Sequence, residues 1–391
     1  MKVKKMEWPD ILMALTIGII VLAQIKWDYQ PLIRKVMYAI WIICFAFLML
    51  DRMRVKKTNF GILFLTSTVC IYVYCSVLDS IGGGMYSNSL MKAFMPISCF
   101  AYWLGVIVAS GDMKETTIKV SLITYFISST IFSIVLRIFF FSDISSWLSS
   151  NVYTYGVGKN QVGMVLASAA LVGIVFVWPM CINIIEKVAT VFGILLCYYG
   201  VALVQSRTAI IASFICISCY FYLQGKIKIR YVIPIVLIAI VAFTNDSIAM
   251  FWDHVFFISK YADKGSNAFF SGRLDSYKHA LDLVKNDLLF GIGNYYVDCL
   301  YVQVLVEGGI IECLLVIPLV LFRLKNGFKY FVKNLSLNNL ALVLAIYYFV
   351  TSFLEAQTPF GPGTSACIFW IVSGYVDVTK KNHFKKYMQA G

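Results

Sequence analysis

Charge is scarce in this sequence. Asp, Glu, Lys and Arg together supply 14% of the 391 residues, while 60% are hydrophobic. A soluble domain carries roughly a quarter charged residues, so a water-covered globule is excluded. Histidine is rarer still, with three in the whole chain. The 11 cysteines fall almost entirely inside apolar runs, and the CxxC of Cys216 and Cys219 has no companion, so they read as small packing residues and no zinc signature exists. Nucleotide loops are absent too: the glycines at 82–84 and the GIG at 291–293 are not followed by Lys-Ser/Thr in a strand–helix context. No soluble domain, low-complexity linker or clear repeat interrupts the chain. Neither cofactor nor metal is expected.

What remains is long apolar runs, reflected in a mean hydropathy of +0.80. They are close to the roughly 20 residues that cross about 30 Å of hydrocarbon as helix, whereas a barrel would show alternating strands of about 10 residues. The expected fold is therefore all-α and polytopic, a single transmembrane domain over 1–391. About twelve spans are expected, near 9–25, 36–50, 60–78, 90–110, 117–141, 160–178, 187–205, 208–223, 229–245, 296–322, 336–354 and 364–379. MKVKK followed by an apolar run imitates a signal peptide, but no small-residue cleavage site follows, and it reads as a retained first helix. The net charge of +13 sits in short clusters at helix ends, such as DRMRVKK and KKNHFKK. That distribution is positive-inside topology, with both termini cytoplasmic, and no nucleic-acid partner is implied.

One segment departs from the pattern. Residues 246–295, between spans nine and ten, form a long loop on the extracytoplasmic side, and 271–290 carries helical periodicity. Leu274, Tyr277, Leu281, Val284 and Leu288 recur at spacings of three and four, with Asp275, Lys278, His279, Asp282, Lys285 and Asn286 opposite. Ser271 or Gly272 can cap this helix, and Arg273 stands in its first turn, where free backbone N–H groups favour anions. At about 100° per residue, Arg273 lies beside Tyr277 and His279 projects roughly 120° away. Arg273 is thus favoured as a site residue, and His279 is either catalytic or part of a solvated face.

These residues carry a family resemblance. GRLDSYKHAL followed by NDLLFGIG resembles the large-loop signature of the O-antigen ligase and polymerase superfamily. DCLYVQVLVEGG at 298–309 is similar to its second block, with Asp298, Tyr301, Leu305, Glu307 and Gly309 in the pattern positions. QSRTAIIAS at 205–213 resembles its Ser-Arg element, and GVGKNQVGM at 156–164 its Asn-x-x-Gly element. Together the blocks span about half the chain in the family's order. Asp298 stands where ligases tend to carry histidine, and Cys299 where Asn often follows. These departures lean toward a Wzy-type polymerase of a capsule or exopolysaccharide locus.

The resemblance implies a GT-C-like, metal-independent glycosyltransferase in the bacterial cytoplasmic (inner) membrane, with its active site on the extracytoplasmic face. Donor and acceptor would be undecaprenyl-diphosphate-linked oligosaccharides, with a chain-length regulator and a flippase of the same pathway as further partners. A departing diphosphate needs cations, and arginine's planar fork suits phosphate oxygens. Arg207 and Arg273 are the expected pair, with Lys159 beside them; Arg207 has the alternative of an interfacial anchor. Lys92 and Arg137 line the same cavity or snorkel. The acceptor hydroxyl needs a base, for which Asp298, Glu307, Glu312 and Glu355 are candidates, Asp298 and Glu307 ahead of the others. A regular helix would hold Asp298 and Glu307 on opposite faces unless Gly308-Gly309 distorts it. Tyr277, Asn160 and Tyr301 are expected in the sugar pocket, and Tyr295, Tyr296, Phe269 and Phe270 offer further stacking surfaces. A ligase of the same superfamily stays open as an alternative, as does a repeat-unit flippase. The flippase is disfavoured by the long outer loop and the lack of two similar halves.

Overall fold

The computed structural model describes residues 57–82, 84, 86–110, 114–141, 143–145, 158–225, 250, 253–256, 273–332, 336–361 and 364–388, with isolated positions between 11 and 46. Among the described residues every regular element is helical. In chain order these are α1 (Asn59–Ile81), α2 (Leu90–Ser110), α3 (Lys114–Val135), α4 (Lys159–Val172), α5 (Ile184–Leu203), α6 (Arg207–Leu223), α7 (Arg273–Val284), α8 (Leu300–Tyr330), α9 (Ser336–Thr351) and α10 (Thr364–Met388). α3 runs on through a π-helical turn, Leu136–Phe140; α4 does the same through Gly173–Val177 and a final turn, Trp178–Met180.

Six of these helices are long and apolar enough to cross a membrane: Asn59–Ile81, Leu90–Ser110, Glu115–Phe140, Lys159–Met180, Ile184–Leu203 and Leu300–Tyr330. Shorter apolar helices, Arg207–Leu223, Leu337–Thr351 and Ala366–Thr379, fall on further expected spans. The expected spans 9–25 and 36–50 lie largely, and 229–245 wholly, outside the described residues, as do Phe269, Phe270, Ser271 and Gly272.

Packing is closest between α2 and α10, where two glycines let backbone meet backbone. A Cβ on Gly105 would run into the Ile371 carbonyl, and one on Gly374 into that of Tyr102. Around this crossing Phe60, Phe64, Tyr102, Phe360, Phe369 and Trp370 form one aromatic cluster, with Phe64 and Trp370 centroids 4.6 Å apart. A buried ion pair seals its far end. Arg323 Nη2 lies 2.9 Å from Asp377 Oδ1, and both side chains are 6% exposed. Tyr102 donates to Asp377 Oδ2 at 2.7 Å, and the Arg323 guanidinium stands 4.2 Å from the Phe60 ring centroid. Arg323 is thus a buried link between α8 and α10.

α8 is broken. Gly309 has φ 69° and ψ −163°, a conformation only glycine adopts without strain. The backbone groups freed by the break are taken by the segment after α7. Ile292 N donates to Val306 O at 2.8 Å, Gly293 N to Glu307 O at 3.1 Å, and Ile310 N to Leu288 O at 2.9 Å. A side chain on Gly291 (φ 72°) would collide with the Glu307 carbonyl, and one on Gly309 with the Leu289 carbonyl. The GIG and EGG motifs are thus two halves of one interlock.

The same interlock shortens the outer helix. α7 ends at Val284, short of the expected 290, because the chain must turn to bring 288–293 against α8. Its packed stripe differs from expectation for the same reason. Tyr277, Ala280 and Val284 pack on Val297, Val302, Leu305 and Val306, while Leu274, Leu281 and Leu288 stay exposed.

Candidate functional site

Four helix ends meet around Glu355. This residue lies in the turn between α9 and α10, and that turn is rigidly tied down. Ser98 Oγ donates to Phe360 O at 2.6 Å, Trp370 Nε1 to Pro359 O at 2.9 Å, and Ser352 Oγ to Thr358 O at 2.9 Å. Leu300 N, opening α8, donates to Ser352 O at 2.8 Å. The start of α8 and the Glu355 turn therefore move as one body.

α7 adds the cation. Arg273 Nε lies 3.2 Å from Asp298 Oδ2, and its Nη2 lies 3.4 Å from Glu355 Oε1. Tyr277, one turn along, fixes the helix by placing its hydroxyl 2.7 Å from the Asp298 carbonyl and 3.1 Å from that of Phe353. Burial pushes this phenol up to about 12, chiefly by desolvation, with Arg273 pulling against it.

α4 and the turn into α6 complete the set. Asn160 Nδ2 donates to Glu355 Oε1 at 2.6 Å, and Ser206 Oγ donates to Asn160 Oδ1 at 3.4 Å. Gly163, three residues after Asn160, lets that turn approach: a Cβ there would strike Ser206. The Asn-x-x-Gly and Ser-Arg blocks are thus another matched pair, one supplying the amide and the clearance, the other the serine. Gln205, at φ 54°, is held in the left-handed region, and its side-chain amide meets the ring of His254. Next to Ser206, Arg207 opens α6 and reaches Phe256 O at 3.5 Å. Three side-chain hydrogen bonds join Ser206, beside Arg207, to Arg273. Lys159 is half-buried beside Asn160.

One cation is thus shared by two acids in unequal surroundings. The side chain of Asp298 is 36% exposed and that of Glu355 13%. Burial raises Glu355 to about 7; Arg273 pulls it down, and Asp298 pushes it back up. Such a site can bind an anion at the arginines and hold a proton at Glu355.

The remaining expected residues lie elsewhere. Glu307 is buried and caps α2: its Oε1 accepts from Leu90 N at 2.9 Å and its Oε2 from Gln303 Nε2 at 2.9 Å. The break at Gly309 does not bring it to Asp298; it opens α8 to the segment after α7. Glu312 is fully buried, with neither carboxyl oxygen hydrogen-bonded among the described residues. Tyr301 packs on Phe353, centroids 4.7 Å apart, with its hydroxyl buried. His279 is exposed on α7, its ring 6.2 Å from that of Tyr295. Lys92 lies 5.5 Å from the Tyr72 ring centroid, and Arg137 donates to the Phe141 carbonyl at the end of its own helix. His254 was not singled out in the sequence; only its contact with the Ser-Arg turn draws attention to it.

Residues 192–317 match the family Wzy_C, described as O-antigen ligase. The match supports the O-antigen ligase/polymerase superfamily. Three of the four sequence blocks fall inside it, with Arg207, Arg273, Tyr277, Asp298 and Glu307. Asn160 and Glu355 fall outside. No curated protein matches the chain.

Proposed function

We propose that this multi-pass membrane protein is a glycosyltransferase that moves a glycan from undecaprenyl diphosphate to a sugar hydroxyl on a second lipid-linked unit, and so lengthens a polysaccharide. Members of the matched family are glycosyltransferase-like enzymes, and the family implies lipid-linked oligosaccharide substrates. The observation that carries the reading is the joining of Arg273 to Asp298, Glu355 and Asn160 at the ends of four helices. The reaction faces the extracytoplasmic side, where the positive-inside rule puts these ends.

In this reading Arg207, Arg273 and Lys159 receive the diphosphate. The donor competes with the two carboxylates for Arg273, and the guanidinium stabilises the charge that grows on the leaving group. Removal of one such preorganised donor costs about 10²–10³ in rate. Tyr277 and Asn160 hold the frame of the sugar-binding face. The acceptor hydroxyl loses its proton to a carboxylate as it attacks the anomeric carbon.

The test is polymer formation in cells or membranes carrying Arg207→Ala or Arg273→Ala protein at normal abundance. Single-repeat lipid is expected to accumulate and long polymer to disappear; normal polymer in both variants overturns the assignment. The matched family, O-antigen ligase, favours a second reading, a ligase that delivers the glycan to a different acceptor. Purified protein given only lipid-linked repeat units separates the two, since a polymerase lengthens them and a ligase does not.

A further inference from the structure

Two acids share one arginine here, and the geometry gives them different tasks. We infer that Glu355 takes the proton of the acceptor hydroxyl, while Asp298 serves as the fixed counter-charge of Arg273. The inference rests on the transferase reading above and reverses the ranking that the sequence suggests.

Position argues first. A base works best when its direction is fixed and its water is removed. Glu355 stands on a turn locked by Ser98, Ser352 and Trp370, and one of its oxygens, Oε1, is clamped by Asn160 and Arg273. Asp298 is the more open of the two, and its contact with Arg273 leaves it about a third exposed.

Electrostatics then separates the pair. The titratable and charged groups facing Glu355 are Arg273 and Tyr277 from α7, and Tyr296 and Asp298 from the segment before α8; Asn160 from α4 is its neutral partner. Burial outweighs the arginine and places Glu355 near 7, where a group both accepts and releases a proton readily. A carboxyl raised by burial in this way is suited to carry the proton.

The step balances. The hydroxyl proton passes to the Glu355 carboxylate, and the freed oxygen pair forms the new bond at the anomeric carbon. The bond from that carbon to the diphosphate oxygen breaks, its electron pair leaving on the diphosphate beside Arg273. Glu355 returns its proton to water when the product departs.

The experiment measures initial transfer rates of the full chain in membranes, with lipid-diphosphate-linked repeat units, from pH 5.5 to 9. Wild type should show a rate that rises with pH through about 7, because the ionised acid is needed. Glu355→Gln should lose about 10²-fold or more and show no such limb. Asp298→Asn should keep the limb and move it to lower pH, since the Asp298 charge raises Glu355. A limb abolished in Asp298→Asn and merely shifted in Glu355→Gln overturns the inference.

Melting supplies an independent readout. The folded-state pKa of Glu355 lies above its ordinary 4.5, so its contribution to stability is present below about 4.5 and is lost as pH rises to about 7. Glu355→Gln should therefore melt progressively higher than wild type as pH climbs through that window. A uniform loss of stability at every pH marks a structural residue and overturns the inference. Wild type that transfers nothing from any lipid diphosphate overturns the transferase reading, and this proposal with it.

Discussion

Arg323 and Arg273 make an instructive pair. Arg323 meets one carboxylate at 2.9 Å in a sealed setting, with Tyr102 on the other carboxyl oxygen and Phe60 under the guanidinium. Arg273 meets two carboxylates at 3.2 and 3.4 Å, partly open to water, and carries an excess negative charge around it. The first arrangement is balanced and dry, so it holds helices together. The second is looser and partly accessible, so an incoming anion can compete with the carboxylates for its cation. The same ion chemistry serves architecture in one place and reaction in the other, and burial with charge balance makes the difference.

The largest expected effect tests the sealed cluster. Arg323→Ala leaves Asp377 buried without its cation, a loss of about 3–5 kcal/mol by the usual cost of breaking a buried pair. Folded protein recovered in detergent should fall sharply, read by size-exclusion profile and melting temperature. Next comes Arg273→Ala, with a loss of about 10²–10³ in transfer rate, equivalent to about 2.7–4 kcal/mol of barrier, while the folded fraction stays near wild type. Variants that exchanged these phenotypes would dissolve the contrast.

A smaller effect belongs to the interlock that carries α7 over the site. Gly309→Ala forces a side chain into a positive-φ region that is essentially glycine's alone, at about 1–3 kcal/mol, and drives a Cβ against the Leu289 carbonyl. Amide exchange at 288–293 should rise, and transfer should weaken through loss of the seat for Arg273. Unchanged exchange there would mean that the GIG and EGG motifs do not depend on one another.

Much of the frame was legible in the sequence because a span announces itself by length and hydropathy within one stretch of chain. Arg273 and Tyr277 were legible for a similar reason: four residues apart, they share a helix face. The partners were not. Glu355 meets Arg273 across 82 residues and Asn160 across 195, and no local period links them. Glu307 illustrates the converse. An acid inside an apolar span reads as functional, yet its carboxylate caps α2 across 217 residues. The sequence blocks were readable as strings, but their meaning lay in their pairing, Asn-x-x-Gly with Ser-Arg and GIG with EGG, which only the folded backbone displays.

The smallest effect sharpens the comparison most. Lys285 Nζ and Asp282 Oδ1 lie 2.5 Å apart, closer than either arginine pair, and lysine holds this carboxyl below its usual range. Both side chains are nonetheless largely exposed, 68% and 50%. Water and salt screen them, and each gives up rotamer freedom to meet the other. Lys285→Ala is therefore expected to leave both melting temperature and transfer rate unchanged within error. If contact distance ranked these interactions, this variant would be the most damaging of all. If burial and charge balance rank them, it is silent, and the order Arg323, Arg273, Lys285 follows from the surroundings of each charge and not from its separation.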